Sequence, residues 1–163
     1  MTKLLQLFAG TALGLAAGSA QALTTFNFSY DFGDQGKVVG TLAGTLLSDN
    51  NTIAVSAINR HATVSAPGNT PVAGPALPLV TTIAAYLASL PTAPQVTRDG
   101  SHMELLGCDS IYCSEGLFFD TTGVFGGPIA VVGYGEQAMQ AAFDANSWSI
   151  AAAVPEPASA LLM

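Results

Sequence analysis

From residue 26 the chain alternates strictly: Phe26, Phe28, Tyr30 and Phe32 on one side, Asn27, Ser29 and Asp31 on the other. Period-two alternation with aromatic residues on one face predicts a half-buried β-strand. Gly33-Asp34-Gln35-Gly36 supplies turn chemistry. A second alternating run follows, with Val38, Gly40, Leu42, Gly44 and Leu46 on one face and Val39, Thr41, Ala43 and Thr45 on the other. The two runs predict an antiparallel hairpin in which the glycines of the second strand leave room for the aromatic rings of the first. Ser48 to Asn51 is a further turn. Residues 52–59 form a third strand, continued by 61–65 after a bulge near Arg60.

Pro67, Pro71, Pro75 and Pro78, with Gly68 and Gly74, make residues 66–79 a loop, because proline removes ladder donors. In residues 80–90 the spacing of Ile83, Tyr86, Leu87 and Leu90 favours a short helix. Short strands are expected at residues 95–98, 103–106, 116–119 and 129–134, and a last one around Ser147 to Ile150. Glu136 to Phe143 is rich in good helix formers and is expected to be one or two helical turns. The expected fold is mainly β: one antiparallel, β-sandwich-like domain with one or two short helices.

The N-terminus follows a different pattern. Lys3 precedes an uncharged, mostly apolar run of about fourteen residues, Leu4 to Ala17, well short of the ~20 that span a bilayer. Ala20-Gln21-Ala22 then fits the small-x-small pattern read by signal peptidase. Residues 1–22 therefore read as a signal peptide cut after Ala22, and 23–153 as the exported β-rich domain, one domain's worth of chain. The longest other apolar-rich stretch, residues 76–90, is interrupted by Pro78 and bounded by Pro75 and Pro91.

Charge narrows the functional classes. Once Lys3 is removed, three basic side chains (Lys37, Arg60, Arg98) face eleven acidic ones, a net charge of −8. Such a surface repels phosphate backbones and anionic lipid, which argues against a nucleic-acid or membrane-surface partner. Cys108 and Cys113 enclose four residues, a spacing that reads as a small-loop disulfide in an oxidising compartment, with a redox pair or half a metal site as the alternatives. The loop-entropy model gives such a bridge ~2 kcal/mol.

Val154-Pro155-Glu156-Pro157-Ala158-Ser159, followed by apolar Ala160 to Met163, resembles the start of a PEP-CTERM sorting signal. Proteins of that family pair a signal peptide with a variable, often β-rich middle and a tail of Pro-Glu-Pro, a membrane helix and an arginine-rich end. The F-x-F-S-Y opening and the G-T-L-x-G-T-L strand are similar in general style. The resemblance implies export from a Gram-negative-type bacterium, processing by an exosortase as well as signal peptidase, and residence in an exopolysaccharide-rich surface or matrix. It implies membrane contact only in transit, through the tail helix. Only six residues follow Pro157, with neither a membrane-length helix nor arginines, so the expectation is that the chain continues past Met163; a natural end there would instead release the protein to periplasm or medium.

Candidate chemistry in the middle is sparse. His102, with Asp99, Glu104 and the two cysteines, is the best metal constellation, but its spacing matches no established zinc site, and no metal or other cofactor is expected. Asp31, Asp34, Asp49 and Asn50 sit in turns, where solvated carboxylates are the simpler reading than calcium ligands. His61 reads as a surface or satisfied histidine. The sequence contains no G-x-S-x-G, H-E-x-x-H or phosphate-loop pattern, so a non-catalytic protein is expected. The alternative is a carbohydrate-binding module that stacks sugars on Trp148, Tyr134 or Tyr112.

Overall fold

A computed structural model describes residues 23–64, 70–88, 93–134 and 137–153. Residues 1–22, read above as a signal peptide with Ala20 and Ala22 at its cleavage site, and the Val154 to Pro157 motif lie outside these residues.

The domain is mainly β, as its alternation predicts. Its strands are β1 (Thr24–Asp31), β2 (Lys37–Leu46), β3 (Thr52–Val64), β4 (Val72–Ala73), β5 (Leu79–Thr81), β6 (Gln95–Thr97), β7 (Met103–Cys108), β8 (Gly116–Asp120), β9 (Ile129–Tyr134), β10 (Gln137–Ala142) and β11 (Trp148–Ala152). One short helix, α1 (Ile83–Ala88), follows β5. All pairings are antiparallel, in the order β10-β9-β8-β7-β6-β3-β2-β1-β11, with β4 added to β3 and β5 to β7. The layering comes from this one sheet curling on itself. A single buried cluster joins Met139 of β10 to Trp148 and Ile150 of β11, residues from opposite ends of the strand order.

The β1–β2 hairpin forms as the alternation requires. Phe26, Phe28, Tyr30 and Phe32 are all buried, and Phe28 lies directly opposite Gly40. A Cβ at Gly40 would come within 2.6 Å of the Phe28 ring and would also run into the carbonyl oxygen of Arg60. The absent side chain is therefore space that the aromatic ring and the neighbouring strand both occupy.

β3 keeps its inward face by breaking the period twice. Its buried residues are Ile53, Val55, Ile58, His61 and Thr63. The register against β2 skips Ser56 and then Asn59. Each extra residue leaves the ladder unpaired and bends the strand. Without the second bulge, strict alternation from Ile58 would turn Arg60 inward; with it, Asn59 and Arg60 both face solvent and His61 returns to the core.

The curl is closed by side chains from the β1 end of the sheet. The Tyr30 hydroxyl donates to the carbonyl oxygen of Ala142 (3.2 Å) and accepts from the Asp144 amide (2.9 Å). Gln35, in the turn after β1, donates from Nε2 to the Gln140 carbonyl (2.8 Å) and accepts the Gln140 amide on Oε1 (3.0 Å).

On the outer face, α1 and the Cys108–Cys113 loop cover β7 and β8 through Ile83, Leu106 and Cys108. Thr82 starts the helix, its Oγ1 accepting the Ala85 amide at 2.9 Å. The helix expected in residues 80–90 is thus present, after a short strand.

The helix expected over Glu136 to Phe143 is not. Residues 137–142 are strand β10, paired along its length with β9. Helix propensity is a weak prior, and the open edge of β9 offers a full ladder of partners. Met139 enters the core while Ala138 and Gln140 stay exposed, a period of two that the same residues equally permit.

Gly40→Ala should cost about 1–3 kcal/mol, because neither the Phe28 ring nor the β3 backbone can withdraw freely. Urea denaturation should show a lowered midpoint with an unchanged slope; an unaltered midpoint would mean that the hairpin does not need the close approach.

Candidate functional site

The positions predicted to do chemistry are mostly taken up by structure. Trp148 is 6% exposed, stacked against Phe28 at 5.8 Å and edge-on to Phe119 at 5.2 Å, with its indole Nε1 donating to the Thr97 carbonyl at 2.9 Å. It is a core residue and offers no face to a sugar. The sequence context misleads here because alternation in a short strand does not say which phase points inward. Tyr112 is 81% exposed at the tip of the disulfide loop, on the opposite side of the sheet from the core that holds Trp148. Tyr134 lies at the end of β9, and its side chain is outside the described residues.

Cys108 and Cys113 form a disulfide, with Cα atoms 4.8 Å apart. Asp109 accepts the Glu115 amide at 3.1 Å and so helps close the loop. Turn carboxylates are similarly engaged by their own backbone. Asp31 accepts the Gly33 amide, Asp49 accepts the amides of Asn51 and Thr52, and Asp120 accepts those of Thr122 and Val124. Hydrogen bonds from Thr52 and Asn51 hold the Asp49 carboxyl below the ordinary carboxylate range, and bonds from Ser101, Asn51 and Thr97 do the same for Asp99. His102 approaches Glu104 at 3.9 Å, but among the described residues no three His, Cys, Asp or Glu side chains converge as metal ligands.

His61, read as a surface or satisfied histidine, is buried and packed against Gly74, where any side chain would collide with the imidazole ring. The second β3 bulge puts it there. Burial pushes its pKa below the ordinary histidine value.

Concavities of different size mark the surface of the described residues. A small one, about 150 Å³, is an apolar dimple between α1 and β8, lined by Ile83, Tyr86, Leu87, Leu106, Cys113, Phe118 and Phe125. It holds no charged or strongly polar side chain to orient a ligand. A larger one, about 490 Å³, lies across the outer face of β11, β1, β2 and β3. That volume falls within the ~300–1,000 Å³ usual for ligand sites.

Strand register explains the larger site. Two cross-strand rows form its floor: Ser149, Ser29, Val39 and Ala62 in one, Ala151, Asn27, Thr41 and Arg60 in the other. Phe28 and Gly40 complete the lining from beneath. Adjacent strands lie ~4.8 Å apart, so four strands make a trough ~14 Å long. Its polar groups are one amide, three hydroxyls and one guanidinium, and no carboxylate lines it. Among the described residues none of these five side chains makes a hydrogen bond or ion pair, so their donors and acceptors are open to a ligand.

The alternation in the sequence places Asn27, Ser29 and Thr41 on the solvent face. The alternation carried that much; the trough requires β11 to lie beside β1 and a bulge to turn Arg60 outward. No family model, curated protein or solved structure matches the chain.

Stability should fall as pH drops through the His61 window. The unfolded imidazole titrates near 6.5 and the folded one below it, so between the two values only the unfolded state binds the proton. The contribution is complete above about pH 6.5 and is lost as the medium acidifies. Thermal unfolding between pH 8 and 5 should show the decline, and His61→Gln should flatten it; an equal slope in the variant would assign the effect to other groups.

Proposed function

We propose that this is an exported, non-catalytic surface or extracellular-matrix protein of a Gram-negative-type bacterium, sorted through its Pro-Glu-Pro tail. The observation that supports this reading best is the Cys108–Cys113 disulfide, a bond of oxidising compartments. It accords with the signal-peptide pattern ending at Ala20-Gln21-Ala22 and with the Val154 to Pro157 motif. Among the described residues no helix is long and apolar enough to cross a membrane. In this reading signal peptidase cuts after Ala22, an exosortase acts at the tail, and the β domain is delivered to the cell surface or beyond it.

A second reading, a module that binds exopolysaccharide, is favoured by the trough. Hydroxyls, an amide and a guanidinium spread over a shallow floor of small residues match the donors and acceptors of a sugar chain. The stacking mode expected on Trp148 gives way to hydrogen bonding on the outer face.

Two measurements test these readings. Intact-mass analysis of the protein recovered from cell fractions should find a chain beginning at Leu23 with Cys108 and Cys113 linked; a chain that stays in the cytoplasm with residues 1–22 attached would refute export. Affinity electrophoresis in gels containing purified exopolysaccharide should retard the protein, and a combined Asn27→Ala, Ser29→Ala variant should migrate faster. An unretarded wild type would remove the glycan-binding reading while leaving export untouched.

A further inference from the structure

The five polar groups of the trough are not equivalent. Four are neutral, and the fifth, Arg60, is the only charged side chain in the lining and one of three basic residues downstream of Lys3. From the geometry we infer that the trough takes an oligosaccharide carrying carboxylate groups, a uronate-type glycan, with Arg60 as the anchor for one carboxylate. This inference rests on the glycan-binding reading and names its ligand class.

Three observations carry it. The Asn59 bulge is what turns Arg60 outward, into the same cross-strand row as Asn27 and Thr41. A bulge re-aims a side chain at a cost in ladder hydrogen bonds, and here it delivers the guanidinium to one end of a row of neutral donors and acceptors. Next, Arg60 has no carboxylate partner among the described residues, although the chain carries eleven acidic side chains. A guanidinium presents a planar fork of donors matched to a carboxylate in two-point contact. Finally, apart from Val39, Asn27 and Arg60 the two floor rows carry only alanine, serine and threonine, so an extended chain can lie across the strands with its hydroxyls against Ser29, Thr41 and Ser149.

The overall charge limits the ligand class from the other side. A single cation in a chain of net charge −7 cannot hold a densely charged polymer such as a nucleic acid, whose binding depends on many phosphate contacts. A glycan with one carboxylate per sugar is sparser, and one fork can anchor it while the neutral groups read its hydroxyls.

The test uses the full chain, oligogalacturonate and a neutral oligogalactoside of equal length, with calorimetric titration at low and physiological salt. Wild type should prefer the uronate roughly tenfold or more, as a charge-assisted pair implies, and the preference should shrink as salt rises. Arg60→Met should abolish the preference, bringing the affinity for the uronate down to that for the neutral oligomer. Thr41→Val, one strand away in the same row, should weaken both ligands alike. Fluorescence of buried Trp148 checks that each variant is folded, and Arg60→Gln replaces any that is not. Equal affinity of wild type for the two oligomers, or a preference that survives in Arg60→Met, would overturn the anchor and leave a neutral glycan site. Failure of wild type to bind either oligomer, or the exopolysaccharide itself, would overturn the glycan-binding reading and the inference with it.

Discussion

The curled sheet depends on one buried phenol. Tyr30 stands on β1 with its ring 1% exposed, packed against Phe32 at 4.8 Å, Phe143 at 5.2 Å and Phe119 at 5.4 Å. Phe119 belongs to β8, and Phe143 follows β10 at the far end of the strand order. The ring therefore sits where distant parts of one sheet meet, and its hydroxyl bonds the backbone at Ala142 and Asp144. A flat sheet of this width would leave its apolar face wet. Folding it over buries that face, and an aromatic residue with a polar tip can both fill the seam and satisfy the backbone exposed there. Burial raises the Tyr30 pKa, so the hydroxyl keeps its proton as a donor.

Much of this was legible in the residues. Strict alternation in residues 26–32 and 37–46 determines the first hairpin, its inward faces and the function of Gly40, because period and turn chemistry are local properties. The cysteine spacing likewise yields its disulfide. What escaped was information held by partners. Residues 137–142 carry helix formers, and only the vacant edge of β9 makes them a strand. Trp148 looked available for stacking because its strand is short, and only the packing of Phe28 and Phe119 shows that it points inward. A bulge near Arg60 was anticipated, but its consequence for Arg60 and His61 emerges from the register against β2.

The trough is of the same kind. Its side chains come from four strands, β11 being separated from β3 by most of the sequence. The inner face of these strands is fixed by aromatic packing, and the outer face is left with small polar groups that hold nothing together. One strand set thus has two independent chemistries, and substitutions on the outer face can change its polar groups without disturbing the core. Beneath them Gly40 is the exception, since it touches both the Phe28 ring and the backbone that carries Arg60.

Gln35 has a consequence beyond closing the curl. An unpaired strand edge is a template for another chain, and β10 is such an edge. The Gln35 amide occupies both the donor and the acceptor of Gln140, as the backbone of an added strand would. Any incoming segment must first evict an intramolecular partner held at high effective concentration. A single side chain in the first turn thus covers one donor and one acceptor that an added strand would need along that edge.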